Sequence, residues 1–347
     1  MDYASLQRLA QQYQLDLVGA VQVGEAETWE AYRRWLDQGY AGEMRRYLAR
    51  PDAVDRRADP RQILSETRTL LVVAASYAGP PHQDLPPLHG RISRYAWVGD
   101  YHRWLKRRLE SLVSALEEDL GPFPSRCYVD TGPILERDWA CRAGLGWFGK
   151  NTTLIHPQWG SYTFLGVGLL GVDLEPTPRT QMPSCGSCTR CLEACPTGAL
   201  VAPGQLDARL CLSYLTVEHR GAIPEALRPK MGSWLFGCDI CQEVCPWNRK
   251  PLARHAEDPL PPHASLYLPD LLMIEPETFR ARFRRTPIWR ATPEGIARNA
   301  AVVLGNQGDP TALSYLQRVV QEHSSSMVRE HAAWAMDRLE QSSAVNS

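Results

Sequence analysis

A multidomain protein combining α/β and α+β character is what this 347-residue sequence predicts: a mixed α/β domain, a cysteine-rich segment, then a helical tail. Three observations point there. Strand-length apolar runs alternate with an amphipathic helical stretch in the first half. Eight of the ten cysteines fall between Cys185 and Cys245, and from Ala297 apolar residues recur at helical spacing. Hydrophobic content of 44% and charged content of 22% suit a chain with a real core. A net charge of -1 announces neither nucleic acid nor membrane, so such a partner must be met by a local patch.

The boundaries follow from composition. Residues 1–174 form the α/β part. RTLLVVAASYAG (Arg68 to Gly79), CYVDTG (Cys127 to Gly132) and the Tyr162 to Val172 run have the length and residue types of strands. Between them, Leu105, Leu109, Leu112 and Leu116 share one face of a helix that Gly121 and Pro122 stop. EPTPRTQMP, from Glu175, reads as a linker into a cysteine segment that ends near residue 251. Residues 252–347 open with a proline-rich stretch and continue as helices. Arg298-Asn-Ala-Ala and Arg329-Glu-His-Ala-Ala start similar apolar helices, as in two repeats of HEAT type or a plain helical cap. The N-terminus lacks a basic start followed by an apolar run, and no run reaches membrane-spanning length, so a cytoplasmic protein is expected.

In a reducing compartment, clustered cysteines point to metal rather than disulfides. Cys185, Cys188, Cys191 and Cys195 form C-x2-C-x2-C-x3-C followed by Pro196, the spacing of bacterial ferredoxins, whose fourth cysteine ligates the other cluster. Cys238, Cys241 and Cys245 repeat its end before Pro246, but Leu235 stands where a first cysteine is due. Cys211 is the remaining cysteine in the region. The expected exchange assigns Cys185, Cys188, Cys191 and Cys245 to one [4Fe–4S] cluster, and Cys195, Cys211, Cys238 and Cys241 to another. Zinc is the competing reading; its sites prefer CxxC pairs separated by a longer finger.

GRISRYAWVGDYH (Gly90 to His102), the Tyr128 to Gly166 stretch containing ERDWACRAGLGWFGKN, the split cysteine set and the helical tail together resemble the epoxyqueuosine reductases. The resemblance covers nearly the whole chain. It implies a cobalamin-binding catalytic domain, a ferredoxin-like domain with two [4Fe–4S] clusters, and a helical domain that docks tRNA. The implied reaction reduces epoxyqueuosine at the anticodon wobble position to queuosine. It also implies a monomer served by an external low-potential donor of flavodoxin or ferredoxin type. Asp-x-His-x-x-Gly, which supplies a histidine to cobalt elsewhere, is absent, as this family leads one to expect.

Losing the epoxide oxygen as water needs an acid with a raised pKa in a partly dry pocket. Asp130, at a strand end, is the expected proton donor, with Glu136 and Asp138 as competitors; any of the three could instead cap a turn or sit solvated. AGLGWFGKN lacks the spacing of a phosphate loop. Its glycines would let the backbone approach a flat corrin, with Lys150, Asn151 and Thr152 near the ring's amides, or they merely pack. Resemblance adds Arg57, Tyr95, Trp97, His156 and Ser161, with Asp130 itself, to the cobalamin pocket. FRARFRRTPIWRAT carries Arg280, Arg282, Arg284, Arg285 and Arg290 without an acidic residue; with Arg298 they are the expected tRNA contacts. The bland alternative is an amphipathic helix that buries Phe279, Phe283 and Ile288 beneath solvated arginines. A small-molecule cobalamin reductase and a plain electron carrier are the other candidate functions.

Overall fold

The computed structural model describes residues 1–178, 181–255 and 257–345; Arg179 and Thr180 of the linker, Ala256 and the last two residues lie outside the described residues. The N-terminal sheet has four strands in the order Leu17–Gln22, Thr69–Ser76, Thr163–Leu170, Ser125–Tyr128, and each neighbouring pair is antiparallel. The three sequence-predicted strands are there, each shorter than its apolar run. Leu17–Gln22 was not anticipated.

Period-two alternation divides the sheet between two cores. Leu71, Val73 and Ala75 face the helix Tyr101–Leu120, packing on Leu105, Leu109, Leu112 and Leu116. Leu70, Val72, Val167 and Leu169 face the other way, onto Trp139, Ala140 and Leu145. This leaves the ends of the strands, and the loops after Tyr128 and before Thr163, free to build a site. Asp100 caps the long helix by accepting from the His102 amide, and Gly121 ends it with φ at +85°.

A second, three-stranded sheet joins distant parts of the chain. His89–Ile92 pairs parallel with Trp234–Phe236 and antiparallel with Ser265–Tyr267. Around it, one core takes Ile92 and Trp97, then Leu215 and Phe236, then Phe279, Leu304 and Leu339. The helix Pro293–Gln307 runs through its middle, buried continuously from Gly295 to Gly305. At Gly305 any Cβ would lie 2.8 Å from the Ala335 backbone, so glycine sets the approach of the two tail helices. Among the described residues, no helix is long and apolar enough to cross a membrane.

Candidate active site and iron–sulfur centre

Beyond the strand Ser125–Tyr128 the chain turns through Asp130, whose φ of +58° is left-handed. A non-glycine residue is held there only when its surroundings demand it. Its amide donates to Oε1 of Glu136 at 2.6 Å, in the first turn of the helix Glu136–Arg142. Its carboxylate meets His102 Nε2 at 3.1 Å, and His102 Nδ1 lies 2.8 Å from Asp100 Oδ1. The result is a chain of Asp100, His102, Asp130 and Glu136.

The charges in this chain sort the protons. The protein packed around Asp130, whose side chain is still 61% exposed, works against its ionisation, but hydrogen bonds from His102 and Tyr101 and the charges of His102 and Arg137 hold its carboxyl below the usual range. Burial also opposes charge on His102, yet its two aspartate partners raise its pKa. Glu136 goes the other way: burial, then the charge of Asp130, push it up to about 8. At neutral pH Asp130 is ionised and Glu136 carries a proton. Asp138 is buried elsewhere, with its oxygens accepting from the Thr28 amide at 2.8 Å and the Glu27 amide at 3.2 Å. That commitment removes Asp138 from the competition for the acid.

Of the residues expected around a corrin, Tyr95 faces this chain. Burial raises its phenol well above the usual value, assisted by the charges of Asp130 and then Asp239, so it stands between the acid site and the cysteine segment. Its ring meets Tyr101 edge-on at 6.4 Å. Arg57 donates to the Ala53 carbonyl and lies over the Tyr32 ring. Thr152, with φ at +67°, presents its carbonyl to Arg137.

Five of the expected residues are engaged in structural contacts. Trp97 is 4% exposed, its indole N–H donates to the Ile92 carbonyl, and its ring packs against Arg94 and His82; it belongs to the core. His156 accepts the Gln158 and Trp159 amides at Nδ1, and burial lowers its pKa to about 4, so it is a neutral turn-former. Buried Ser161 donates from Oγ to Gln242 and from its amide to Asn248. Asn151 reaches the Cys241 carbonyl at 3.4 Å. Lys150 is similarly occupied, its Nζ donating to the carbonyls of Gly186 at 2.7 Å and Cys188 at 3.0 Å. The glycine-rich loop therefore clamps the cysteine segment. Gly146 shows why it needs glycine: its φ is +152°, and a Cβ would run into the Ile155 carbonyl.

All ten cysteines are free thiols. Those whose charges bear on Cys245 are Cys185, Cys191 and Cys188; those bearing on Cys191 are Cys185 and Cys188. Cys211 feels Cys195, and Cys238 feels Cys211 and Cys241. Cys241 feels Cys211 and Cys195, with Cys191 its one neighbour in the other set. Cys245 thus lies with Cys185, Cys188 and Cys191, and Cys211 with Cys195, Cys238 and Cys241, the neighbours the expected exchange requires. Among the described residues no three His, Cys, Asp or Glu groups converge for a single metal ion. Between Cys238 and Cys241, Asp239 is fully buried and accepts from the Ser93 hydroxyl at 2.5 Å, the Arg94 amide at 2.8 Å and the Arg94 guanidinium at 3.3 Å. Sequence reasoning missed this anchor, as it missed His102 and Asp100. Only the Asp-Tyr-His start of the long helix hinted at the latter pair.

The arginine patch divides too. Arg280, Arg282, Arg284 and Arg285 are exposed over buried Phe279 and Phe283, and Trp289 is 45% exposed while stacking on Phe279. Arg290 makes a two-pronged pair with Glu218 at 2.8 and 2.9 Å. Arg298 is 0% exposed and donates to the carbonyls of Leu215, His219 and Gly221. Burial withdraws Arg298 from any RNA surface, correcting the sequence reading. The patch adjoins the acid site, because the Asp100 amide donates to the Arg285 carbonyl at 2.9 Å.

Comparison with known proteins agrees with this geometry. A family model described as epoxyqueuosine reductase QueG matches residues 57–131, and one described as a 4Fe-4S double cluster binding domain matches residues 184–248. The epoxyqueuosine reductase of Pseudomonas aeruginosa is 38% identical over 329 residues, covering 92% of this chain and 89% of the relative. That of Synechocystis is 40% identical over 291 residues, covering 82% and 98%. A crystal structure of epoxyqueuosine reductase with an epoxyqueuosine-modified tRNA-Tyr stem loop matches with a TM-score of 0.87 and 31% identity, over 97% of this chain and 89% of that one. The Bacillus subtilis enzyme, with an aspartate-bearing catalytic loop swung out of its active site, matches with a TM-score of 0.84 and 31% identity, over 97% and 90%. With its mixed α/β fold and double-cluster segment, this chain belongs to the epoxyqueuosine reductase family.

Proposed function

We propose that this chain reduces the epoxide of epoxyqueuosine in tRNA to the alkene of queuosine, with Asp130 as the group that hands a proton to the departing oxygen. The reaction consumes two electrons and two protons and releases water. His102, hydrogen-bonded to the Asp130 carboxylate, is poised to pass a proton to it, and Glu136, bonded to the Asp130 amide, keeps a second proton beside the site at neutral pH, so Asp130 is the delivering end of a charged relay. The observation that carries the reading is adjacency: the relay's first member, Asp100, is hydrogen-bonded to the backbone of the arginine patch. A tRNA seated on Arg280, Arg282, Arg284 and Arg285, which the HEAT-like tail helices would support, brings its anticodon loop to Asp130.

Cobalamin fits the residues present. The phenol of Tyr95 and the guanidinium of Arg137 lie beside Asp130 and offer donors to a corrin's amides, while Tyr101, whose proton goes to Asp130, offers an acceptor oxygen. Neither nearby imidazole is free to ligate cobalt, since His102 lies between two aspartates and His156 serves its own turn. When bound, the corrin would supply the electrons that open the epoxide. Cys185, Cys188, Cys191 and Cys245, and Cys195, Cys211, Cys238 and Cys241, would hold the two clusters that feed it from an external low-potential carrier. Around them, Tyr95 links the acid site to the cluster loop, and Lys150, Asn151 and Ser161 fix that loop in place.

The test is anaerobic turnover. Protein carrying both clusters and cobalamin, given a low-potential reductant, is incubated with epoxyqueuosine-containing tRNA, and the digested nucleosides are analysed by mass spectrometry. Conversion to queuosine is expected. Retained corrin and clusters with no conversion would overturn the reading.

A further inference from the structure

Arg298, withdrawn by burial from the RNA surface, and its neighbour Asn299 bridge the helix that follows Cys211 and the strand that leads to Cys238. Asn299 is 0% exposed, and its amide nitrogen donates twice. One bond goes to the Thr216 carbonyl at 2.9 Å, in the helix Leu212–Val217 that Cys211 starts. The other goes to the Leu235 carbonyl at 3.0 Å, in the strand Trp234–Phe236 that leads directly to Cys238. Arg298 fixes the orientation of that amide by donating to its oxygen from Nε at 3.1 Å and Nη2 at 2.9 Å. Its remaining donors hold the carbonyls of Leu215 at 2.7 Å, His219 at 2.9 Å and Gly221 at 2.7 Å, the end of the Cys211 helix and the turn after it. A third bond closes the arrangement: the Gly237 amide, next to Cys238, donates to the Thr216 hydroxyl at 2.9 Å.

Cys211 and Cys238 lie in separate segments, and no disulfide joins them. A cubane, however, needs its cysteines at fixed separations before iron arrives; otherwise assembly must order both segments at once, an entropic burden. A buried amide with its donors and acceptor all satisfied is a rigid spacer, because any displacement strands polar groups away from water. We propose that Asn299, oriented by Arg298, is a positioning residue for the second cluster, setting the separation of its ligands Cys211 and Cys238 from a helix that carries no ligand. The proposal rests on the ligand assignment given above. It makes the tail helix Pro293–Gln307 part of the redox centre as well as a support for the RNA surface.

Asn299→Asp is the informative change. It keeps the shape and the acceptor facing Arg298, but turns two donors into acceptors that face the carbonyls of Thr216 and Leu235. Holoprotein should fall from eight irons per chain towards four, the content of one of its two [4Fe–4S] clusters. Iron release to a chelator from the affected cluster should quicken roughly ten- to hundredfold, as expected for two lost hydrogen bonds. The electron paramagnetic resonance spectrum of the reduced protein should lose the coupling between paired clusters. Asn306→Asp is the control. Asn306 lies on the same helix and donates likewise to the carbonyls of Arg228 and Gly232, which precede the strand Trp234–Phe236 and belong neither to it nor to the Cys211 helix, so both clusters should remain. Should Asn299→Asp fail to fold, Thr216→Val decides: it leaves the tail helix intact, removes the bond to Gly237, and should release iron from one cluster severalfold faster. Cys211→Ala separates the ligand assignment from the positioning role. If it retains eight irons, the ligand assignment is wrong. If it falls to four while Asn299→Asp and Thr216→Val keep eight irons and the release rate of the unsubstituted protein, the positioning role is wrong.

Discussion

Replacing Glu136 with glutamine separates the proton reservoir from the group that delivers the proton. In the folded protein Glu136 titrates at about 8 instead of 4.5, because burial and the Asp130 charge both oppose its ionisation. At roughly 1.4 kcal/mol per pH unit, this is on the order of 5 kcal/mol of strain once the group is fully ionised. The sign is fixed by the direction of the shift. The folded pKa lies above the unfolded one, so the stabilising contribution is complete below about 4.5, erodes as pH rises, and is gone above about 8. Glu136→Gln removes that burden, and its melting temperature should exceed that of the unsubstituted protein at pH 9 while approaching it at pH 5. Turnover should move the opposite way. Single-turnover conversion of epoxyqueuosine in tRNA, followed by mass spectrometry from pH 6 to 10, should fall roughly 100-fold or more for the variant near pH 7. The unsubstituted enzyme should lose activity above pH 8 along a limb that the variant lacks. A variant with full turnover and the same alkaline limb would show that Glu136 is not the reservoir.

Asp130→Asn should keep both clusters and bound corrin but reduce turnover by at least 100-fold, and the pKa of His102, read by nuclear magnetic resonance, should drop as it loses one aspartate partner. Asp138→Asn leaves one of the amides of Glu27 and Thr28 facing a donor; it should cost about 1–3 kcal/mol of stability in a denaturant melt and leave turnover per folded molecule unchanged. Combined alanine replacement of Arg280, Arg282, Arg284 and Arg285 should weaken tRNA binding and flatten its salt dependence, with melting temperature unchanged. The log–log slope should fall by about 0.7–0.9 for each phosphate that is no longer neutralised.

The parts of this fold that were legible in the sequence are those whose signal is local. Cysteine spacing is fixed by the geometry of a tight loop, so a double-cluster segment could be read from the intervals, and residues 184–248 match a model of such a segment. Leu105, Leu109, Leu112 and Leu116 reveal one helical face, as the structure bears out. Sheet direction was not legible, since helices between strands serve either a parallel or an antiparallel order. Leu17–Gln22, an edge strand of six residues, carries too little pattern to stand out. At the site the failures share one cause. Composition records that an arginine is charged, not where its charge ends up, so Arg298 looked like its neighbours in the patch. Asp130 and His102 are 28 positions apart and meet only because a strand end and a helix start share one edge of the sheet.

The interlocking of the cysteine segment with its surroundings has a consequence for electron transfer. Lys150 holds the carbonyls of Gly186 and Cys188, Asn151 holds that of Cys241, Ser161 holds Gln242 and Asn248, and Ser93 with Arg94 holds Asp239. Each of these anchors comes from the α/β domain or the strand pairing with the cysteine segment, and each lands on a loop carrying or flanking a cysteine. A domain attached only by its linker would sample many orientations, and the proposed donor and acceptor would meet only part of the time. Hydrogen bonds distributed over both cysteine sets remove that freedom. Ser93 and Arg94 immediately precede Tyr95, the residue that feels both Asp130 and Asp239, so the backbone that anchors the second cluster loop also orients the phenol beside the acid site. Loosening Asp239, for example by Ser93→Ala, should therefore disturb the acid site as well as the cluster loop, and a change in the pH profile of turnover is the measurement that would register it.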